Sequence, residues 1–182
     1  MQNHRGMETW TQLTEVAAEL EVAYLDIDSQ WVGSPFEWIK TRPSRQVGAI
    51  GEKIVARLFE MGGHEVERSP DSEADRVIDG RRIEIKFSTL WKNGGYKFQQ
   101  VRDQDYEAAV CLGVSPQDAH LWFFPKRILY DHVIGHTGQH GGRGGQDTAW
   151  IHLNPDAPLS WAIPWGGQLE AGMEVAKAEL RT

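Results

Sequence analysis

One cysteine among 182 residues rules out a disulfide within the chain. Cys111 lies in the apolar run Ala108-Ala109-Val110-Cys111-Leu112 and reads as a buried thiol rather than a nucleophile. No apolar stretch is long enough to span a bilayer, and Met1 leads into Gln2-Asn3-His4-Arg5 with no apolar signal region. We therefore expect a protein of the reducing cytoplasm with no membrane partner. An excess of positive charge is also missing. The formal net charge of −7 argues against coating nucleic acid by bulk electrostatics, while leaving room for a local basic strip. Internal repeats are absent, and nothing marks a second domain. One domain over 1–182 is expected, with a core at about 44–153, an N-terminal helical elaboration and a C-terminal Trp/Pro-rich and helical one.

The chain does hold 40% hydrophobic residues, enough for a core, and eight tryptophans, most of them expected in the core or at an interface. Trp10, Leu13, Val16, Ala17, Leu20 and Tyr24 recur at helical spacing, which predicts a packing helix over about 9–25. Pro35 and Pro43 break an irregular stretch in which Trp31, Phe36 and Trp38 are expected anchors. A second helix is expected over 44–61, capped by Ser44, striped by Val47, Ile50, Ile54, Val55 and Leu58, and ended by Gly62-Gly63. Strands are expected at 64–68, 108–114, 120–124 and 148–153. The two middle ones are apolar on both faces and so read as inner strands. Helices are expected at 125–133 and 169–180. Lys126 and Arg127 in the first turn of the former oppose the helix dipole and hint at an anionic partner.

The most informative stretch is Asp75-Arg76-Val77-Ile78-Asp79-Gly80-Arg81-Arg82-Ile83-Glu84-Ile85-Lys86. Asp79-Gly80 between two strand-like runs predicts a hairpin with a type I′ turn. Pairing Ile78 with Arg81 then pairs Val77 with Arg82, Arg76 with Ile83 and Asp75 with Glu84. Directly opposed residues share a face, and Lys86, two residues past Glu84, shares it too. Two carboxylates and an ammonium converge on one spot. A hard divalent cation such as Mg²⁺ removes the repulsion between the carboxylates. Lys86 beside it can orient a water or neutralise a phosphate. The competing reading is a solvated hairpin with an accidental Asp/Glu pair. Asp71, after Pro70, is a competing acid, but the same register carries it beyond Ser88, away from Glu84.

Three other stretches bear on chemistry. Glu52, in Gly48-Ala49-Ile50-Gly51-Glu52-Lys53, sits on the helix preceding the hairpin, either solvated or aimed at the same metal. The segment 91–102 mixes Lys92, Lys97 and Arg102 with Trp91, Tyr96 and Phe98, an interleaving suited to a nucleic-acid backbone as well as to a solvated loop with packed aromatics. The glycine-rich loop 135–146 carries His136, Gln139, His140 and Arg143, which either adapt to a groove or belong to a plain connector. His136 and His140 lack the thiolate or third ligand of a zinc site.

Taken together, Gly48-x-x-Gly51-Glu52, Asp75 with Glu84-Ile85-Lys86, and Phe98-Gln99-Gln100-Val101-Arg102 ahead of Asp105-Tyr106 resemble the PD-(D/E)xK nuclease superfamily. That superfamily includes many type II restriction endonucleases, mismatch-repair nicking enzymes and junction resolvases. The likeness spans about residues 44 to 125, and its proline stands before Asp71 instead of Asp75. It implies an α/β (mixed α+β) fold with a restriction-endonuclease-like core, a central mixed sheet flanked by helices. It further implies that Asp75, Glu84 and Glu52 bind Mg²⁺, for which Mn²⁺ can substitute. By the same likeness Lys86 positions the attacking water, and Gln99 and Gln100 line the site. Lys92, Tyr96, Lys97, Gln100, Arg102, His140 and Arg143 are the residues expected to touch DNA. A small type II restriction endonuclease acting on double-stranded DNA as a homodimer is the expectation. A structure-specific repair or recombination nuclease is the alternative, and a catalytically silent DNA-binding module the third reading.

Overall fold

A computed structural model describes residues 2–136 and 148–182, with side chains described outside 2–9 and 23–28. The elements in chain order are α1 (Gln2–Ser29), α2 (Glu37–Lys40), α3 (Ser44–Met61), β1 (Val66–Arg68), β2 (Arg76–Ile78), β3 (Arg81–Thr89), β4 (Tyr96–Val101), β5 (Ala108–Val114), β6 (Ala119–Pro125), α4 (Lys126–His132), β7 (Ala149–Leu153), a 3₁₀ turn (Ile163–Trp165), β8 (Gly166–Gln168) and α5 (Leu169–Leu180). Six strands form a mixed sheet in the order β1-β2-β3-β5-β6-β8, and β4 pairs with β7 in a separate two-stranded sheet. The β3–β5 pair is parallel and every other pair antiparallel.

The arrangement is three layers, and β5 shows why. All seven of its residues are buried. Ala108, Val110, Leu112 and Val114 point to one core, with Val55 and Phe59 of α3, Ala176 and Leu180 of α5, and Ile83 and Ile85 of β3. Ala109 and Cys111 point to the other, formed with Tyr96, Phe98 and Val101 of β4, Ala149, Ile151 and Leu153 of β7, and Leu129 of α4. Burial pushes the Cys111 thiol well above its ordinary range, which suits a core residue and no nucleophile. The second core also holds Tyr96, whose hydroxyl hydrogen-bonds His120 Nδ1 at 3.0 Å, and Trp122 stacked on that imidazole.

Hairpin β2–β3 has the expected register, Ile78 with Arg81, Val77 with Arg82 and Arg76 with Ile83. Asp79 (φ 49°) and Gly80 (φ 80°) both take the left-handed backbone that a type I′ turn demands. Asp79 Oδ1 accepts the Glu65 N–H at 2.9 Å, and Oδ2 lies 2.6 Å from His64 Nδ1, so the turn is tied to the entry of β1. Helix α3 starts one residue earlier than a Ser44 cap would have it. Pro43 occupies the cap position with no side-chain hydrogen bond. Its C-terminal end closes through Gly63 N–H to Glu60 O and His64 N–H to Phe59 O, a Schellman arrangement.

Three expectations need correction. Helix α1 leaves the described part of its apolar stripe uncovered: Trp10, Leu13, Val16 and Leu20 are all at least half exposed, while the Tyr24 side chain lies outside the described residues. Trp38 is exposed as well, because α2 anchors through the fully buried Ile39. Lys126 finds its anionic and aromatic neighbours inside the chain, with Nζ 3.0 Å from Asp103 Oδ1, hydrogen-bonded to Gln104 O and 4.7 Å from the centre of the Tyr106 ring. At the C-terminal end, β8 extends the main sheet beside β6, and α5 packs across it. Among the described residues no helix is long and apolar enough to cross a membrane.

Two glycines in α3 serve opposite ends. A Cβ on Gly51 would overlap the Phe87 side chain, so the glycine lets α3 lie directly on β3, whereas nothing stands within 4 Å of a Cβ at Gly48. Helix glycines each cost about 1 kcal/mol, less than the roughly 1.5–3 kcal/mol gained by each side chain such as Val55 or Phe59 that the close approach buries. Gly48→Ala should therefore raise stability by about 1 kcal/mol. Gly51→Ala should lower it by about 1–3 kcal/mol despite better helix propensity, as urea unfolding of the two variants would measure.

A second expected outcome concerns His120, 6% exposed. Burial holds its imidazole pKa below the ordinary histidine value, with Asp118 and Asp156 pulling back only partly. A lowered folded-state pKa means that the unfolded chain binds the proton first. Stability is then fully present above the ordinary histidine pKa and declines as pH falls through it toward the folded value. His120→Gln should be less stable than the parent at pH 7 yet lose less stability between pH 7 and pH 5, read from melting curves across that range.

Candidate active site

The site arises where β2 stops short. Strand β3 runs for nine residues but pairs with the three-residue β2 only as far as Ile83. From Ile85 onward that edge of β3 lines a cleft of about 1370 Å³, with Glu84 buried just behind its lining, and side chains from both sheet faces reach it. Asp75 lies just before β2 and is held there twice. Its N–H donates to Ile83 O at 3.1 Å, and its Oδ2 accepts the Ile85 N–H at 2.7 Å. These two bonds bracket Glu84 and set Asp75 directly beside it.

Glu84 Oε1 lies 2.6 Å from Lys86 Nζ, and Glu84 is 6% exposed. Its neighbours across the parallel ladder are Ala109 opposite Glu84 and Cys111 opposite Lys86, small or apolar side chains that exclude water. Burial accordingly raises the Glu84 carboxyl above its usual range. The Lys86 ammonium pulls it down, and the adjacent Asp75 carboxylate pushes it up again. A carboxyl pair destabilised in this way, with hard oxygen donors beside the cleft, has the donor chemistry for a divalent cation. Among the described residues no group of three or more His, Cys, Asp or Glu side chains is gathered closely enough to hold a metal, and the closely placed acidic pair at this end of β3 is Asp75 and Glu84.

Glu52 reaches the cleft from α3, on the other sheet face. It is ion-paired with Arg76 Nη1, which also donates to Asp75 O at 2.7 Å. One guanidinium thus ties the helix glutamate to the backbone of the hairpin acid. Sequence reasoning misses Arg76. The signal that could find it is parity: it pairs with Ile83 and so faces α3, away from Glu84. Asp71 is engaged elsewhere, accepting from Arg82 Nη2 at 2.5 Å and Nη1 at 3.2 Å and from the Glu73 N–H at 2.9 Å. The Arg82 pair and that backbone bond hold its carboxyl below the usual range.

Strand β4 supplies a further part of the cleft. Residues 96–98 alternate, Tyr96 and Phe98 fully buried and Lys97 turned to the cleft. The β4–β7 register then shifts between Phe98 and Val101, and Gln100 takes a left-handed conformation at φ 56°. The bulge is why Gln99 and Gln100, consecutive residues, both line the cleft. Lys92 lines it from the β3–β4 loop, and Lys97 Nζ sits 3.9 Å from the centre of the half-exposed Trp91 ring. Tyr96 does not reach the surface. It is fully buried, and burial moves its phenol up to about 12. Arg102 is exposed and outside the cleft lining, while His140 and Arg143 lie outside the described residues. The cleft also gathers Lys40, Arg42 and Arg45, which sequence reasoning passes over, although four residues of the corner 41–45 flank a proline and two of them are arginine.

No protein-family model matches the chain, and no curated protein matches it by sequence. Among solved structures, a bacterial homing endonuclease, I-Ssp6803I, is similar in fold. The TM-score is 0.50 at 14% identity, over 76% of this chain and 97% of that one. The mixed six-stranded sheet with its flanking helices is similar to that of an endonuclease.

Proposed function

We propose that the protein is a metal-dependent endonuclease of the PD-(D/E)xK kind, which hydrolyses phosphodiester bonds in double-stranded DNA as a sequence-specific restriction enzyme. One observation carries this reading. Asp75, Glu84 and Lys86 meet on one face of β3 beside an open cleft lined with cations, an arrangement that favours phosphate chemistry over a structural ion pair. The endonuclease-like fold supports the same direction.

Asp75 and Glu84 would hold Mg²⁺, with Mn²⁺ able to replace it. When bound, the ion supplies Lewis-acid polarisation of a phosphodiester oxygen and a lowered pKa for water. The remaining work falls to the chain. Lys86, on the Glu84 side of the cleft, donates to the attacking water or to a non-bridging phosphate oxygen. Glu52, kept in place by Arg76, accepts a hydrogen bond from water at the cleft wall. Gln99 and Gln100 offer neutral donors and acceptors to the strand being cut. Water adds in line to phosphorus and the 3′-oxygen leaves with a proton, giving a 5′-phosphate and a 3′-hydroxyl. Two cuts across a duplex need two such sites, so the active species is a homodimer. A second endonuclease reading, an enzyme that cuts at few sites instead of many, has the same fold-level support.

Incubation of the full chain with plasmid DNA and Mg²⁺ should give discrete fragments with 5′-phosphate ends, their number separating the two endonuclease readings. Nicking confined to branched junctions would favour a repair nuclease, and no cleavage of any DNA would defeat all three. Asp75→Asn and Lys86→Ala should each lower the cleavage rate by about 10²–10⁴-fold, with the circular dichroism spectrum unchanged. Full activity in Asp75→Asn would reject the assignment. Independently of turnover, millimolar Mg²⁺ should raise the melting temperature of the parent and leave that of Asp75→Asn unmoved.

A further inference from the structure

The distribution of charge points to a second binding surface. In a chain of net charge −7, one cleft collects Lys40, Arg42, Arg45, Lys86, Lys92 and Lys97 against two carboxylates, Glu52 and Asp75. Some arginines of the fold are neutralised locally, Arg57 by Glu60, Arg76 by Glu52 and Arg82 by Asp71, while Arg68, Arg81, Arg102, Arg127 and Arg181 form no ion pair among the described residues but lie outside this cleft. Arg42 and Arg45 are set apart by their position. Both are exposed, both line the cleft, and neither forms an ion pair among the described residues. Exposed cations gathered with Lys40, Lys86, Lys92 and Lys97 in a chain of net charge −7 concentrate positive potential in the cleft, which suits an anionic ligand.

Their support is firm. Helix α2 is anchored by Ile39, fully buried, and the chain turns at Pro43, φ −54°, into α3. Lys40 Nζ lies 5.0 Å from the ring centre of Trp31, itself 4% exposed. Lys92 and Lys97 come from a separate structure, the β3–β4 loop and β4. The cleft of about 1370 Å³ is larger than a metal and one phosphate need, and larger than the roughly 300–1,000 Å³ usual for small ligands. Its cations are spread over two structures rather than focused on one point, as an extended polyanion requires.

We propose that Lys40, Arg42 and Arg45 form a second phosphate-binding wall, which holds the DNA backbone together with Lys92 and Lys97 so that the strand crosses the cleft past Asp75 and Lys86. This rests on the reading of the cleft as a nuclease site. The test is duplex binding followed by fluorescence anisotropy at several salt concentrations, with Ca²⁺ present in place of Mg²⁺. Arg42→Gln/Arg45→Gln should weaken binding tenfold or more. The plot of log affinity against log salt should become shallower by about 1 for each phosphate that is no longer neutralised. Arg42→Lys/Arg45→Lys should keep the parental slope, which a purely structural role for the arginines would not predict. In cleavage assays the glutamine variant should show a raised KM with kcat within about twofold of the parent.

Parental affinity and slope in the glutamine variant would overturn the wall while leaving the Asp75–Glu84–Lys86 reading intact. Altered binding in that variant, combined with a parent that cuts no DNA, would uphold the wall and reject the catalytic reading. A parent that binds no duplex at all would overturn both.

Discussion

Glu84 is a carboxylate 6% exposed, placed beside a second carboxylate and 2.6 Å from an ammonium. Taking such charges out of water costs several kcal/mol per ion before any pairing is counted. A sheet made only for stability would place an apolar residue there, as β3 does at Ile83 and Ile85 on its other face. Much of the surrounding architecture can be understood as holding this arrangement. The type I′ turn sets the register, Ile85 N–H fixes the Asp75 carboxylate, and the small side chains of Ala109 and Cys111 leave room above the ladder.

A consequence follows for access. The charged face would be sealed if β2 were as long as β3, but β2 ends after three residues and the remaining edge of β3 is left to the cleft. At an edge, residues of both parities can approach one space. This is how Glu52 from the α3 side and Lys86 from the β4 side come to share it, with Arg76 joining Glu52 to the Asp75 backbone. The bulge in β4 then turns two glutamines in the same direction, where a regular strand would present one.

Legibility in the sequence varies with distance along the chain. The hairpin is readable residue by residue, because Asp79-Gly80 permits few turn geometries and a ladder has a period of two. The buried strand β5 and the bounds of α5 are equally plain from apolar content and glycine punctuation. Tyr96 is misplaced by sequence reasoning because its alternation with Lys97 leaves open which parity faces inward, and only the layer formed by β4 and β7 decides that. Helix α1 shows a regular apolar stripe, yet periodicity says which side of a helix is apolar and nothing about whether a surface exists to cover it.

The sequence by itself determined the hairpin register from Arg76 to Ile83 that brings Asp75 beside Glu84, the side on which Lys86 lies, and the mixed α/β order of elements. These depend on turn chemistry and periodicity over about a dozen neighbouring residues. Only the tertiary structure decided that Asp71 belongs to Arg82, that Arg76 holds Glu52, and that the corner at Arg42 and Arg45 shares a cleft with Lys92 and Lys97. Those outcomes depend on the face against which each layer packs and on where β2 ends relative to β3. Both are settled by burial of surface between elements far apart in the chain.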